Sequence, residues 1–156
     1  MATDLSAGDK APAFSMPTDG GGKTALKDYK GKALVLFFYP KDDTSGCTKE
    51  AIGFSEQRKA FEKAGAAILG VSRDPVAKHD KFKAKHDLTV DLGSDEEGSV
   101  TEGYGVWVEK SMYGRKYMGI ERSTFLIDGK GKIARVWRKV KVPGHVEEVL
   151  DAVKAL

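Results

Sequence analysis

The seven residues Ala33-Leu34-Val35-Leu36-Phe37-Phe38-Tyr39 form an unbroken apolar run, closed by Pro40. A run this short, with no polar face, fits a strand buried on both sides at the centre of a sheet. Proline then ends it, having no N–H to give to a ladder. Ala66 to Ser72 is a second run of the same kind. Between them, Thr48 to Ala64 is rich in Glu, Lys, Gln, Arg and Ala, and Ala51, Phe54, Phe61 and Ala64 recur at steps that give a helix one apolar face. Gly65 reads as its stop.

The rest of the chain continues this alternation. Gly20-Gly21-Gly22 reads as a hairpin or loop tip. Asp74-Pro75 opens a helix with proline at its first position, running to about His86, followed by a short strand over Thr89 to Leu92. Glu96 to Tyr104 is one or two helical turns, and Met112 to Gly119 reads as a loop. Ser123 to Asp128 and Lys132 to Lys139 flank the tight turn Gly129-Lys130-Gly131 as a hairpin. Gly144 to Leu156 is an amphipathic helix carrying Val146, Val149, Leu150 and Val153. The order predicts an α/β fold: a thioredoxin-like three-layer sandwich whose mixed central sheet has helices on both faces.

The 156 residues suit one domain spanning 1–156, with no repeats and no linker. A net charge of +3, spread rather than blocked, gives no reason to expect nucleic acid. No apolar run approaches the ~20 residues that span a bilayer, and no membrane association is expected. The start, MATDLSAGDKAPAF, lacks the charged and apolar regions of a secretory signal, so a cytoplasmic protein is expected. One cysteine, Cys47, excludes an internal disulfide, a thiolate zinc cluster and a Cys-x-x-Cys pair.

That cysteine lies in Tyr39-Pro40-Lys41-Asp42-Asp43-Thr44-Ser45-Gly46-Cys47-Thr48-Lys49-Glu50, where a buried strand ends and the next helix begins. Open α/β sheets gather their sites at strand carboxyl ends. A helix N-terminus adds unpaired N–H groups and a partial positive charge, which favour a thiolate over a thiol. A thiolate that cleaves an O–O bond also needs donors that hold both oxygens in line. The Thr44 hydroxyl, the Gly46 and Cys47 amides and the cation Arg122 are candidates for that task, and Pro40 can narrow the pocket and exclude water.

Pro40-x-x-x-Thr44-x-x-Cys47 matches the peroxiredoxin active-site motif. The surrounding segment resembles the bacterioferritin-comigratory-protein (PrxQ) subfamily, as do Ala11-Pro12-Ala13-Phe14, Glu121-Arg122-Ser123-Thr124-Phe125-Leu126-Ile127 and Trp137-Arg138-Lys139-Val140. The resemblance covers nearly the whole chain. It implies a thiol-dependent peroxidase, without cofactor or metal, that reduces hydrogen peroxide and small organic hydroperoxides. Cys47 would be the attacking cysteine and become a sulfenic acid. Thr44 and Arg122 would position the peroxide, Pro40 would shield the site, and Glu50 would orient Arg122 or another basic group. Monomers are common among such relatives, so a monomer is expected, with a dimer as the alternative.

The chain departs from that pattern in a way that bears on mechanism. Members of the subfamily carry a second, resolving cysteine either five residues after the first, where this chain has Ile52, or in the segment that reads Lys81-Phe82-Lys83-Ala84 here. Its absence implies a one-cysteine cycle, with the sulfenate reduced by an external thiol: thioredoxin, glutaredoxin or a low-molecular-weight thiol. Ser45 also stands where the subfamily has proline. The competing functions are a thiol transferase without peroxidase activity and a redox-inert thioredoxin-fold interaction module or holdase.

Simpler roles exist for each residue singled out: a core cysteine for Cys47, a helix cap for Thr44 and a surface strand residue for Arg122. His79 and His86, seven apart on one helix, lack a third ligand for a metal, and His145 stands alone. Arg135, Arg138, Lys139 and Lys141 around Trp137 read as the exposed face of a hairpin. Tyr104, Trp107, Met112, Tyr113, Tyr117 and Met118 could line an apolar approach or pack in the core.

Overall fold

A computed structural model describes residues 5–156. The first four residues of the segment read above for a secretory signal lie outside it. In chain order the elements are β1 (Ser15–Pro17), β2 (Lys23–Ala25), β3 (Ala33–Phe38), α1 (Ser45–Glu56), α2 (Arg58–Lys63), β4 (Ala66–Ser72), α3 (Val76–His86), β5 (Asp91–Ser94), α4 (Ser99–Gly103), β6 (Trp107–Met112), β7 (Arg115–Ile120), β8 (Ser123–Ile127), β9 (Ile133–Trp137) and α5 (His145–Lys154). Five strands make the central sheet in the order β5-β4-β3-β8-β9. β3 runs parallel to β4 and antiparallel to β8, so the sheet is mixed. This is the thioredoxin-like architecture expected from the order of elements.

Strand β3 is central for the reason its sequence suggests: Leu34 to Tyr39 are all fully buried. Alternate residues serve opposite faces. Val35, Phe37 and Tyr39 join the cluster covered by α1, α2, α3 and α5, through Phe54, Phe61, Phe82 and Val149. Leu34, Leu36 and Phe38 join the other, which is closed by Phe14 and Met16 of the N-terminal segment and by Val100 and Tyr104. The second face thus carries one short α-helix, α4, and the 3-10 turn Leu26–Tyr29, with strand and coil around them. Gly70 sets the packing of the first face. A Cβ there would lie 2.5 Å from Cζ of Phe37, so only glycine lets that ring cross the sheet. Phe37 then stacks on Phe54 of α1 at 4.7 Å between centroids, which seats α1 against the sheet.

The helix expected over Thr48 to Ala64 starts three residues earlier, at Ser45, and breaks at Gln57 into α1 and α2. Thr89 explains the break: its N–H and hydroxyl donate to the hydroxyl and carbonyl of Ser55, next to it. Spending Thr89 there also moves β5 to Asp91–Ser94, two residues later than expected. Pro75 precedes α3 as an extended cap (φ −71°, ψ 160°) rather than occupying its first turn. The largest correction concerns Met112 to Gly119, expected to be a loop. There β6 and β7 form a two-stranded hairpin in register Trp107 to Ile120. Its turn, Tyr113-Gly114, has φ of 52° and 77°, the left-handed pair a two-residue hairpin requires. Tyrosine is an uncommon residue in that place, which hid the turn.

Candidate active site

Cys47 is the third residue of α1, just past the carboxyl end of β3. Thr44 stands at the N-cap in extended conformation and its carbonyl accepts the first helical hydrogen bond, from Thr48, at 2.8 Å. Its side chain does not cap. The Thr44 hydroxyl instead donates to the Lys41 carbonyl at 2.8 Å, leaving its oxygen lone pairs free to accept. The amides of Gly46 and Cys47 therefore have no acceptor among the described residues, and both lie at the positive end of the helix. Cys47 itself is 1% exposed.

Arg122, immediately before β8, reaches this helix end. One of its amino groups, Nη2, donates to Cys47 Sγ at 3.2 Å, and the other, Nη1, donates to Glu50 Oε1 at 2.8 Å. Glu50 follows Cys47 by three residues, so one turn of α1 brings both to the same guanidinium. Gly46 makes room for it: a Cβ at this position would lie 3.1 Å from Arg122 Nη2. Glu50 is fully buried and its Oε2 meets no donor among the described residues. Burial accordingly pushes its carboxyl up to about 7 despite the attraction of Arg122. For Arg122, burial works against the charge, but Glu50 and Cys47 outweigh it and raise the guanidinium further.

The loop Pro40–Thr44 leads from β3 into this site, with Pro40 half-buried at its start. Its two aspartates are both engaged by α3. Asp42 is buried, accepts from Tyr39 Oη at 2.6 Å and from His79 Nδ1 at 2.6 Å. Asp43 accepts from Lys85 Nζ at 2.7 Å and from His86 Nε2 at 2.8 Å. Asp42 and Asp43 were not among the residues that the sequence singled out. The signal was present as two adjacent acids beside the cysteine and two histidines seven apart on one helix. Lys110 of β6 is a second omission. Burial and then the charge of Arg122 pull its ammonium below the usual lysine range.

Gly46, Cys47, Glu50 and Arg122 thus converge, with Thr44 at the cap of the same helix and Pro40 at the start of the loop that leads to it. None of the other residues considered as candidates is hydrogen-bonded to the Cys47 sulfur or the Arg122 guanidinium among the described residues. Tyr104 is buried and donates to the Pro12 carbonyl at 2.6 Å, while Trp107 carries the Arg73 guanidinium 3.4 Å above its ring. Met112, Tyr113, Tyr117 and Met118 are exposed on the β6–β7 hairpin. Arg135 and the Trp137 indole both donate to Glu148 Oε1 at 2.8 Å, so this part of the basic hairpin is tied to α5. His145 is buried against Phe54 and Trp137, paired with the Thr124 hydroxyl at 2.8 Å. Among the described residues no group of three or more His, Cys, Asp or Glu could hold a metal, and no helix is long and apolar enough to cross a membrane.

Residues 7–136 match the sequence model of the AhpC/TSA family. Peroxiredoxin Bcp of Bacillus subtilis is 50% identical over 147 residues, covering 94% of each chain. A solved structure of Xanthomonas campestris peroxiredoxin Q superimposes with a TM-score of 0.87 at 47% identity, covering 91% of this chain and 90% of that one. A cysteine-to-serine mutant of Xylella fastidiosa PrxQ gives a TM-score of 0.93 at 42% identity, covering 98% of both.

Proposed function

The chain belongs to the AhpC/TSA family as a peroxiredoxin of the Bcp/PrxQ type, a thiol-dependent peroxidase, and from that premise we propose that it runs a one-cysteine cycle on Cys47. The observation that carries this reading is the Arg122 guanidinium bridging Cys47 Sγ, at 3.2 Å, and Glu50, at 2.8 Å, in a chain with a single cysteine.

A hydroperoxide entering past Pro40 meets Cys47 with its O–H donated to the Thr44 oxygen, whose own proton is held by Lys41. The Gly46 and Cys47 amides and Arg122 then face the reacting oxygens as donors. The Cys47 thiolate attacks one oxygen and the O–O bond breaks. The other oxygen departs with the electron pair and takes a proton, leaving as water or an alcohol, and Cys47 becomes a sulfenic acid. An external thiolate next attacks Sγ; an S–S bond forms and water leaves. A second thiol displaces Cys47 from that mixed disulfide, so two thiols are oxidised per peroxide reduced. Glu50 anchors the guanidinium on the side away from sulfur. Hydrogen peroxide and small organic hydroperoxides are the substrates; thioredoxin, glutaredoxin or a small thiol supplies the electrons. We take residues 1–156 as one domain, monomeric and cytoplasmic; a thiol-dependent cycle on Cys47 needs the supply of reduced thiols that such a compartment holds.

Single-turnover oxidation of the reduced protein by hydrogen peroxide tests the assignment. Rapid loss of the Cys47 thiol, slowed at least roughly a hundredfold in Arg122→Ala and clearly slowed in Thr44→Val, is the expected result. Equal rates in all three proteins, at the speed of an ordinary free thiol, would remove the site.

A further inference from the structure

With 1% of Cys47 exposed, no external thiol can reach its sulfur while the preceding loop keeps this conformation. The cycle therefore makes two opposed demands on that loop: it must be fixed for attack on peroxide and must give way for reduction. What fixes it is α3, through a pairing that the peroxide chemistry does not use. Asp42 and Asp43, adjacent in the loop, each take a hydrogen bond from a histidine, and His79 and His86 lie two helical turns apart on one face.

The inner contact is fully buried. His79 presents Nδ1 to Asp42 at 2.6 Å and Nε2 to the Gly93 carbonyl at 2.9 Å, so both ring nitrogens face acceptors, an arrangement that favours the doubly protonated ring. Burial works to lower its pKa, but the hydrogen bond and charge of Asp42 dominate and raise it. Asp74 adds to this: its Oδ2 accepts from the Asp42 amide at 2.8 Å and from Ser72 Oγ at 2.7 Å. The outer contact is more open, with the Asp43 and Lys85 side chains 41% and 61% exposed and His86 21%. Asp43 also has φ of 62°, a left-handed angle that costs most residues energy and that aspartate and asparagine tolerate best. The outer contact holds this residue directly before the cap, Thr44.

We propose that His79 and His86, with Lys85, form a two-point clamp on Asp42 and Asp43 that positions the Pro40–Thr44 loop for peroxide attack and opposes its opening to the reducing thiol. The proposal rests on Cys47 being the reacting atom. None of the clamp residues touches Sγ, so they are positioning residues. Loosening the clamp slows oxidation, which needs Thr44 and the first-turn amides in line, and speeds reduction, which needs Sγ to come out. Opposite effects on the two half-reactions distinguish a clamp from simple loss of structure.

The test uses two outer variants that leave the buried pair intact. Lys85→Ala/His86→Ala removes both outer partners without altering the loop. Asp43→Asn keeps a residue suited to the left-handed angle and removes the charge. Each half-reaction is timed separately: oxidation of reduced protein by one equivalent of hydrogen peroxide, and reduction of the preformed sulfenate by dithiothreitol, in variants whose melting temperature matches the wild type. Expected are an oxidation rate lower, and a reduction rate higher, by about two- to fivefold each, the scale of exposed charged contacts. Both rates return toward wild type in Lys85→Ala/His86→Arg, which restores a cation opposite Asp43. Should both rates fall together, or neither move by a factor of about two, the clamp is overturned while the Cys47 assignment stands. A wild-type Cys47 no faster than a free thiol removes the assignment and the clamp with it.

Discussion

Glu50 gives the sharpest quantitative consequence of this site. Its side chain has no solvent exposure, and Oε2 meets no donor among the described residues. Burial raises its carboxyl from 4.5 to about 7, with the Arg122 charge and hydrogen bond only partly offsetting that. In the unfolded chain the proton leaves near the lower value; in the native protein it is held to the higher one. The stability tied to this proton is therefore complete below pH 4.5, is lost as pH rises, and is gone above about pH 7. The difference is worth about 3 kcal/mol. Glu50→Gln keeps the shape and the acceptor for Arg122 Nη1 but cannot titrate. Urea unfolding of both proteins at pH 4.5 and at pH 8.5 measures the effect, because titrations elsewhere cancel in the difference. Between those conditions the variant should gain about 3 kcal/mol relative to wild type. A difference constant to within about 1 kcal/mol would refute the reasoning, and would mean that Arg122 fully compensates the buried charge.

Gly46→Ala puts a Cβ 3.1 Å from Arg122 Nη2, so the guanidinium must shift by a few tenths of an ångström where it meets Sγ. Peroxide oxidation should slow by roughly tenfold, with little change in melting temperature, as stopped-flow and calorimetry would show. Gly70→Ala drives a Cβ to 2.5 Å from the Phe37 ring and should cost about 1–3 kcal/mol in denaturant unfolding, the range for an overpacked core. His145 is held down to about 4, first by burial. The stability that its neutral form contributes is present above pH 6.5 and lost as pH falls through about 4. His145→Gln should flatten that acid limb of the stability curve, and an unchanged limb would assign it to other groups.

Much of this architecture is legible in the chain because the strongest signals are local. The apolar run over Ala33–Tyr39 has one good solution, a doubly buried strand, and Pro40 fixes its end. Cys47 and Thr44 follow from what comes after it, and Arg122 from a second segment with its own pattern. Other features depended on partners distant in sequence. The break after Glu56 comes from Thr89 taking the Ser55 carbonyl, and no local propensity announces it. The β6–β7 hairpin turns on a tyrosine at φ of 52°, which composition argues against. Asp42 reads as one more loop acid until α3 brings His79 to 2.6 Å. Glu50 could be guessed as a partner for a basic group, but its full burial depends on the packing of α1.

Intact-mass spectrometry of the single cysteine through one cycle tests the central claim most directly. Reduced protein is treated with one equivalent of hydrogen peroxide and then with an external thiol added stepwise up to two equivalents. The account predicts a gain of one oxygen atom on Cys47, replaced by a mixed disulfide with the added thiol, and then return of the free thiol with two thiols consumed per peroxide. A protein that gains no oxygen on Cys47 while still consuming peroxide, or that turns over without any thiol adduct at that residue, would contradict it.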